Sequence, residues 1–425
     1  MKRRIALLIS LMVALGAGVA APANAAPVTL TVWSYGNVFQ TKLLNAYKAA
    51  NPTVTIKIKK SDMDSNHQNL RNALRTTSVP DIAALEVSYI GEFRNYDAYF
   101  KDLNTMTPSA STIKNDFLGW RWSQGVSPAG KVIGIPTDVG GLAVAYRRDL
   151  FAAAGLPTNR TDVAKLWPTW SQFIQTGVNY KKNTGKAFID TAGTVFAAAL
   201  NQGTQRYYTS GGSLVYRTNG SVSSAFNTAA QAVTSGNAPG KYEGGIGTKT
   251  GQFSSGWGTG LQRGTFAVVL APAWMLDYIK QQAPRTSGKW DVAKAPGSYG
   301  NIGGSQLAIP KNAKNPQAAW DFIRWYLAPA QQLTVFKSYG QFPTIESLYD
   351  NSSVTGYKDS FFNNAPIGSI YVASVTGVHN IPTGKKDRII DTTFGQAISR
   401  VMLGKQSSSA AWTQALTDIK KSIGQ

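Results

Sequence analysis

The chain has no cysteine and only two histidines among its 425 residues. The lack of cysteine excludes disulfides, cysteine-ligated zinc, iron–sulfur clusters and catalysis by a thiol. With His67 and His379 as the only imidazoles, a metal site built from several histidines is nearly excluded as well. We therefore expect neither a metal site nor a cofactor.

Long apolar runs are also scarce, and the clearest lies at the amino terminus. Three basic residues, Lys2 to Arg4, precede the apolar segment 5–20, and the small residues Ala23 to Ala25 follow it. This order is typical of a secretory signal peptide spanning residues 1–25. A membrane anchor is the alternative, but the run is short for a span. Since no cysteine can carry a lipid, we predict an exported protein, periplasmic or extracellular, without a lipid anchor.

Acidic residues are few: 22 Asp and Glu stand against 43 Lys and Arg, which gives a net charge of +21. Removing the three basic residues of the signal segment leaves +18. The basic residues are scattered, and no aromatic-basic repeat or nucleic-acid motif accompanies them, so we expect no nucleic-acid partner. A solvated surface facing an anionic cell envelope is favoured, and an acidic ligand or polymer is the alternative.

Strand and helix patterns alternate after the signal segment. VTLTVWSY (28–35) and VTIKIK (54–59) are typical of strands, and Asn51-Pro52 ends the helix between them. A second helix ends at Pro80, and DIAALEV (81–87) predicts a buried third strand. The order strand–helix–strand–helix–strand predicts an α/β fold with a parallel sheet and helices on both faces.

The pattern restarts further along the chain. Two strands are predicted at 131–135 and 142–146, and a segment rich in Gly, Ser, Thr and Tyr (207–260) is predicted to be irregular. In VVLAPAWMLDYIK (268–280), a strand ends at a proline and a helix begins at once, with Trp274 at the junction. A strongly amphipathic helix follows Asn315, its predicted cap. Open α/β folds bind ligands where a strand ends and a helix begins, as at Trp274.

Several stretches together resemble a known family. In order they are LTVWSYGN, VPDIAALEVSYIGEF, GKVIGIPTDVGGLAVAYRRDLFAAAGLP, RGTFAVVLAPAWM, GKWDVAKAPG and GGSQLAIPKNAKNPQAAWDFIRWYLAP. Their order and spacing are similar to those of the extracellular solute-binding proteins of carbohydrate ABC importers, the maltose-binding-protein-like family. The resemblance covers nearly the whole mature chain and is weakest at about 202–259.

The resemblance implies a two-lobed α/β fold with a hinge and a ligand cleft between the lobes. The amino-terminal lobe would comprise 26–138 plus 306–342, and the carboxyl-terminal lobe 139–305 plus 343–425. The chain would cross between the lobes near 138–141, 303–306 and 339–344, all close to Gly or Pro.

The same resemblance implies a function. The chain would be a monomeric binding component that captures a mono- or oligosaccharide by lobe closure and delivers it to membrane permease subunits. A polyol, an acidic oligosaccharide or a glycerophosphate is the alternative cargo, and Arg147 and Arg148 near the first crossing would suit an anion. A secreted glycoside hydrolase or lectin is the alternative of another class.

Candidate ligand contacts combine aromatic rings with carboxylates. The C–H face of a sugar packs on aromatic rings, and its hydroxyls need charged or amide partners. Trp274 is a candidate for the first role, with core packing as its alternative, and Trp257 is a candidate as a loop aromatic. Glu86 and Tyr89 follow the third strand, and their alternatives are a helix cap and packing.

The other candidates lie beside turns and crossings. Tyr35 and Asn37 follow the first strand, where ordinary turn chemistry is the alternative. Asp138 precedes two glycines and is able either to accept sugar hydroxyls or merely to shape a turn. Gly304 and Ser305 offer backbone N–H and hydroxyl groups. If Glu86 and Asp138 both face the ligand, a neutral sugar or polyol is favoured over a uronate.

Other residues and motifs argue against catalysis. Trp320 and Trp325 lie on the amphipathic helix and are predicted to pack, whereas Trp120 and Trp122 have no predicted place.

STIK (111–114) lacks the partner motifs of serine acyl-transferases, and GGIGTKTG (244–251) lacks the ending of a phosphate-binding loop. DMDSNH (62–67) fails as a calcium loop because a histidine replaces the required glycine. A carboxylate pair for glycoside hydrolysis is not excluded, but we predict no enzyme.

Overall fold

The structure is a computed structural model that describes residues 26–237 and 243–425. The predicted signal peptide lies outside the described residues. Within the described residues, nine strands form two sheets: β1 Val28–Tyr35, β2 Val54–Ser61, β3 Ile82–Glu86, β4 Gly134–Pro136, β5 Leu142–Arg147, β6 Ala187–Ile189, β7 Phe266–Pro272, β8 Trp290–Lys294 and β9 Ser305–Ala308.

Helices surround both sheets. They are α1 Thr41–Ala50, α2 Met63–Ala73, α3 Val87–Phe93, α4 Gly119–Gln124, α5 Arg148–Ala153, α6 Arg160–Ala164, α7 Trp170–Thr184, α8 Gly193–Leu200, α9 Gly220–Thr234, α10 Ser255–Arg263, α11 Ala273–Gln282, α12 Pro316–Tyr326, α13 Pro329–Tyr339, α14 Ser352–Thr355, α15 Ile367–Thr376, α16 Asp387–Met402 and α17 Ser408–Ile423. Within the two described ranges, none of these helices is long and apolar enough to cross a membrane.

The first sheet has the strand order β2-β1-β3-β9-β4. Strands β2, β1 and β3 are parallel, as the alternation of strands and helices predicts. Strand β9 runs antiparallel to both β3 and β4. The sheet is therefore mixed rather than parallel, because β9 enters from the other lobe instead of following a crossover helix.

The second sheet has the order β6-β7-β5-β8. Strand β5 is antiparallel to both β7 and β8, whereas β6 and β7 are parallel. Every residue of β5 and β7 is buried. Burial on both faces explains why these strands are continuous apolar runs in the sequence. The two sheets are the centres of two lobes, which confirms the predicted two-lobed α/β fold.

Two short segments, 137–141 and 295–304, carry the chain between the sheets. They are hydrogen-bonded to each other: Ile302 N–H donates to the Gly140 carbonyl at 2.8 Å, and Gly140 N–H donates to Asn301 Oδ1 at 2.8 Å. A Cβ on Gly140 would overlap the Ile302 carbonyl, so glycine is required for this approach. The predicted crossing near 138–141 lies in the first segment, and the one near 303–306 overlaps the second segment and the start of β9, whereas the lobe boundaries stay a prediction.

The irregular structure predicted for 207–260 is wrong in part, because α9 and α10 lie there. Helix α9 buries Val222, Ala225, Phe226 and Ala229, which have helical spacing. In α10, three glycines obscured the helix, although Ser254 caps it by accepting a hydrogen bond from Trp257 N–H.

Four tryptophans outside the cleft pack against neighbouring side chains, two of them as predicted. Trp320 is fully buried in α12, and Trp325 packs against Tyr47 with ring centroids 5.0 Å apart. The two that the sequence leaves unplaced belong to α4. Trp122 is buried against Phe117, and Trp120 lies beside the guanidinium of the next residue.

Candidate functional site

Two sheet edges face each other across the gap between the lobes. In the first sheet, the carboxyl end of β3 pairs with the amino end of β9, as Glu86 opposite Ser305. In the second sheet, the carboxyl end of β7 pairs with the amino end of β5, as Pro272 opposite Leu142. Because the short crossing segments connect these same edges, side chains that follow the strands there border the space between the lobes.

Three predicted residues meet at the first edge. The hydroxyls of Tyr35 and Ser305 are 2.6 Å apart, and Ser305 N–H donates to Asp138 Oδ1 at 3.0 Å. A residue that the sequence did not flag, Arg121 of α4, joins them. Its Nη2 donates to the Ser305 carbonyl at 2.9 Å, and its Nε donates to the Asp138 carbonyl at 3.1 Å. Arg121 is fully buried, and burial lowers its pKa while the carboxylates of Asp138 and Glu86 oppose that shift.

Gly304 lies in this cluster because its backbone approaches other groups closely. Its φ is +109°, and a Cβ would lie 2.8 Å from Arg121 Nη2 and 2.9 Å from the Asp138 carbonyl oxygen. Its own carbonyl accepts a hydrogen bond from Val87 N–H at 3.0 Å. Glycine is therefore required here both by conformation and by space.

Glu86 ends β3 and also caps α3. Its carboxylate accepts from Ser88 N–H at 2.7 Å and from the Ser88 hydroxyl. The helix cap considered as its alternative is thus present, and the carboxylate retains further lone pairs for a ligand. Burial raises the pKa of the Glu86 carboxyl above its ordinary value. Burial also raises the pKa of Tyr35, and the nearby Glu86 carboxylate raises it further.

Tyr89 is held in a column of side chains. Its ring stacks on His67 with centroids 3.9 Å apart and planes within 6°, and its hydroxyl donates to the Asp64 carboxylate. The guanidinium carbon of Arg388, from α16 of the other lobe, lies 5.1 Å from the Tyr89 ring centroid. Sequence reasoning considered His67 only as a misfit in a calcium loop and did not flag Arg388.

An aromatic shelf lies at the second edge and consists of Phe253, Trp257, Trp274 and Tyr278. Trp274 is half-buried, donates from Nε1 to the Ile302 carbonyl at 3.0 Å, and lies 6.2 Å from Phe253 at an interplanar angle of 26°. The side chain of Phe253 is 51% exposed, and its φ is +66°. A large exposed aromatic in a left-handed conformation is an unusual combination that often marks a functional position.

Trp257 supports the shelf from inside. It belongs to α10 and not to a loop, and it is fully buried, so the prediction of a loop aromatic is wrong. Its Nε1 donates to Asp190 Oδ2 at 2.9 Å, and Gln252 Nε2 donates to the same oxygen at 2.6 Å. Burial raises the pKa of Asp190 to about 6. Through these two hydrogen bonds, Asp190 links Gln252, the residue before Phe253, to the buried Trp257.

Asn37 lies apart from the cluster around Ser305. It is exposed, and its hydrogen bonds within the described part of the chain are to Gln40, Lys60 and Gln341. Gln341 lies in the segment predicted as the third crossing. Arg147 and Arg148 lie at the far end of β5, where they face Asp149 and Asp291, and they do not border the gap.

The lobes touch where α3 meets α16, and we call this the α3–α16 contact. Gly91 and Gly384 face each other, since a Cβ on Gly91 would lie 2.5 Å from the Gly384 carbonyl oxygen. Arg388 Nη2 lies 2.8 Å from Asp64 Oδ1 across the gap. Asp387 is buried beside this contact, and burial raises its pKa to about 7. The two lobes are therefore in direct contact here, and we infer that this arrangement is the closed form.

Other features do not coincide with the predicted site. A surface cavity of about 650 Å³ lies at the amino ends of β6 and β7, lined by Lys181, Lys186 and Arg263 among others. This is the sheet edge opposite the gap between the lobes. Among the described residues, no group of three or more metal-ligating side chains is present.

Comparison with known proteins agrees with this geometry. The sequence profile of the bacterial extracellular solute-binding proteins matches residues 42–362. The chain belongs to this family. Its members are binding proteins of ABC transporters rather than enzymes.

Relatives of this solute-binding protein are similar along most of the chain. The lactose-binding protein of Rhizobium radiobacter is 26% identical over 318 residues, which is 69% of either chain. A solved structure of an extracellular solute-binding protein of family 1 is 35% identical, with a TM-score of 0.81 over 93% of this chain and 99% of the other. The ABC-transporter-associated binding protein of B. animalis subsp. lactis, solved with β-1,6-galactobiose, has a TM-score of 0.76 at 22% identity, covers 94% of this chain and 99% of its own, and shows the shared fold.

Proposed function

We propose that this solute-binding protein is the extracytoplasmic component of an ABC importer for a neutral di- or oligosaccharide. The observation that carries the proposal is the pairing of two different edges across one gap. One edge holds carboxylates, hydroxyls and a guanidinium, and the other holds a partly exposed aromatic shelf. A sugar, with polar rims and weakly apolar faces, needs both kinds of surface.

The roles of the residues follow from their chemistry. The rings of Trp274 and Phe253 pack against the C–H face of a sugar unit. The carboxylates of Glu86 and Asp138 accept hydrogen bonds from sugar hydroxyls, and the Tyr35 hydroxyl is able to donate or accept. Two carboxylates against the one buried guanidinium of this cluster favour a neutral ligand over a uronate or phosphate.

A β-galactoside disaccharide is the first cargo to test. The support is the lactose-binding protein of R. radiobacter, which is similar over two thirds of its length. The two rings of the shelf, 6.2 Å apart, offer more apolar surface than a single sugar unit needs, which favours at least a disaccharide.

Delivery follows from closure. The ligand stabilises the closed form only through contacts that it makes with both lobes. The closed monomer then docks on membrane permease subunits and releases the sugar without chemical change. The predicted amino-terminal signal segment would direct the mature chain, residues 26–425, to the periplasm or the outside of the cell.

Thermal unfolding of the mature chain against lactose, maltose, arabino-oligosaccharide, galactitol, galacturonate and glycerol phosphate tests the proposal. A hundredfold excess of ligand over its dissociation constant adds about 2.7 kcal/mol of stability. We expect a shift with neutral sugars, confirmed by calorimetry, which Trp274→Ala and Glu86→Gln weaken or abolish. A shift with galacturonate or glycerol phosphate alone contradicts a neutral cargo, and release of reducing sugar contradicts a pure binding function.

A further inference from the structure

His67 is a fully buried histidine whose two ring nitrogens both have backbone partners. Nδ1 lies 2.6 Å from the Met63 carbonyl oxygen, which only accepts, so Nδ1 carries the proton and donates. Nε2 accepts a hydrogen bond from Glu86 N–H at 2.9 Å. These two bonds together require the neutral Nδ1–H tautomer.

The same imidazole also fixes the Tyr89 ring. The two rings are nearly parallel at 3.9 Å, which fills one face of Tyr89. The guanidinium of Arg388 therefore approaches the other face from the opposite lobe. A third ring, Tyr35, lies 5.3 Å from the imidazole. His67 thus touches three of the residues that border the gap between the lobes.

We propose that His67 is a positioning residue for the sugar site, which preforms the amino-terminal half by holding the Glu86 backbone and the Tyr89 ring. This rests on the proposed function, because it takes Glu86 and Tyr89 to face the ligand or the closing lobe. Glu86 sits where β3 ends and α3 begins, and its side-chain direction depends on the backbone at that junction. The bond from its N–H to Nε2 fixes that backbone independently of the cap that its carboxylate makes.

The surroundings of His67 keep it neutral. Burial lowers its pKa to about 4, the Met63 carbonyl opposes that shift, and Arg71 lowers the pKa further. Asp64 raises it and Arg388 lowers it by smaller amounts. A neutral acceptor holds Glu86 N–H throughout the range in which an exported protein works, whereas an imidazolium would donate from Nε2 and lose that bond.

The tautomer is tested by nitrogen-15 NMR of the imidazoles in a mature chain made without a histidine tag. Because the chain has only two histidines, the signals lost in His67→Phe belong to His67 and those that remain belong to His379. We expect the His67 signals of an Nδ1–H neutral ring, constant from pH 5.5 to 8. An Nε2–H ring, or a titration above pH 6, overturns the proposal.

The positioning role is tested with two substitutions and a control. His67→Phe keeps an aromatic ring but removes the acceptor for Glu86 N–H, whereas His67→Gln retains an acceptor near the Nε2 position. Trp320→Phe is the control, because it removes a partly buried hydrogen bond to the Pro108 carbonyl in the same lobe, away from the gap. An unpaired buried N–H is costly, so we expect His67→Phe to weaken sugar affinity roughly tenfold and His67→Gln to recover part of it.

Trp320→Phe is expected to lower the melting temperature with affinity unchanged within twofold. A His67→Phe protein that loses only thermal stability and keeps its affinity shows a structural role and overturns the proposal. If His67→Phe does not fold, His67→Gln against wild type decides the same point. Hydrogen exchange of the peptide around Glu86 needs no sugar, and the proposal requires faster exchange in His67→Phe than in Trp320→Phe. This exchange measurement therefore separates failure of the His67 assignment from failure of the proposed sugar-binding function.

Discussion

Gly91→Ala adds a methyl group within the α3–α16 contact. The new Cβ would lie 2.5 Å from the Gly384 carbonyl oxygen, 2.9 Å from the Gly384 nitrogen and 3.0 Å from Asp387 Oδ2. Ordinary contact begins at 3.4 Å, so the lobes must separate by roughly 0.9 Å at this point. Overpacking of this kind costs about 1–3 kcal/mol. Since the cost falls only on the closed form, sugar affinity should fall roughly 5- to 150-fold.

The same substitution should not destabilise the open protein, because alanine is the better helix former by about 1 kcal/mol. Gly395→Ala on α16 is the matched control, since among the described residues nothing lies within 4 Å of a Cβ there. Calorimetry measures the affinity, and small-angle X-ray scattering with saturating sugar measures closure. If Gly91→Ala binds as tightly as Gly395→Ala and contracts equally on adding sugar, the α3–α16 contact is not part of the closed complex.

Three further substitutions probe the closed form and the shelf. Arg388→Gln removes the pair with Asp64, whose side chains are 31% and 65% exposed; we expect at most about fivefold weaker sugar binding in calorimetry, with little effect left in 1 M salt. Burial raises the pKa of Asp387 from an ordinary 3.8 to about 7, so its charge destabilises the fold increasingly as the pH rises from about 4 to 7. Asp387→Asn should therefore raise the melting temperature at pH 8 but not at pH 4. An equal effect at both pH values would contradict this reasoning. Phe253→Ala should weaken sugar binding roughly 2- to 10-fold by calorimetry with little change in melting temperature, whereas unchanged affinity would remove Phe253 from the site.

Local patterns in the sequence predicted the elements of the fold well where they were strongly apolar. Strand β7 is a run of buried residues, and the strand-to-helix junction at Trp274 follows directly from Pro272. The direction of β9 could not be predicted from such patterns. It depends on where the chain returns to the first lobe, which is a long-range property, and only the family resemblance indicated that return.

Candidate residues at strand ends were predictable for the same topological reason. Tyr35, Asp138 and Ser305 lie far apart in sequence but meet because their strands end at one edge. Arg121 was missed because it lies in a short helix with no strand to place it, and its role depends on contacts with distant backbone carbonyls.

Residues supplied by the opposite lobe were the hardest to predict. Arg388 reaches the gap from α16, more than three hundred positions after Asp64, and no local pattern links the two. Phe253 lay in a segment predicted to be irregular, and the anchor that fixes it, Asp190, is on another element. A cation in the first turn of α16, where the helix dipole favours negative charge, was the available signal for Arg388, but it does not identify a partner in the other lobe.

The central claim is that a neutral sugar binds between the two edges and holds the lobes closed. A crystal structure of the mature chain with the sugar selected by thermal unfolding tests it most directly. The account predicts a sugar ring packed on Trp274 and Phe253, with hydroxyls in hydrogen-bond contact with Glu86 or Asp138 and with α3 against α16. A sugar bound elsewhere, such as the cavity beside Lys181, or bound with the lobes apart, would contradict it.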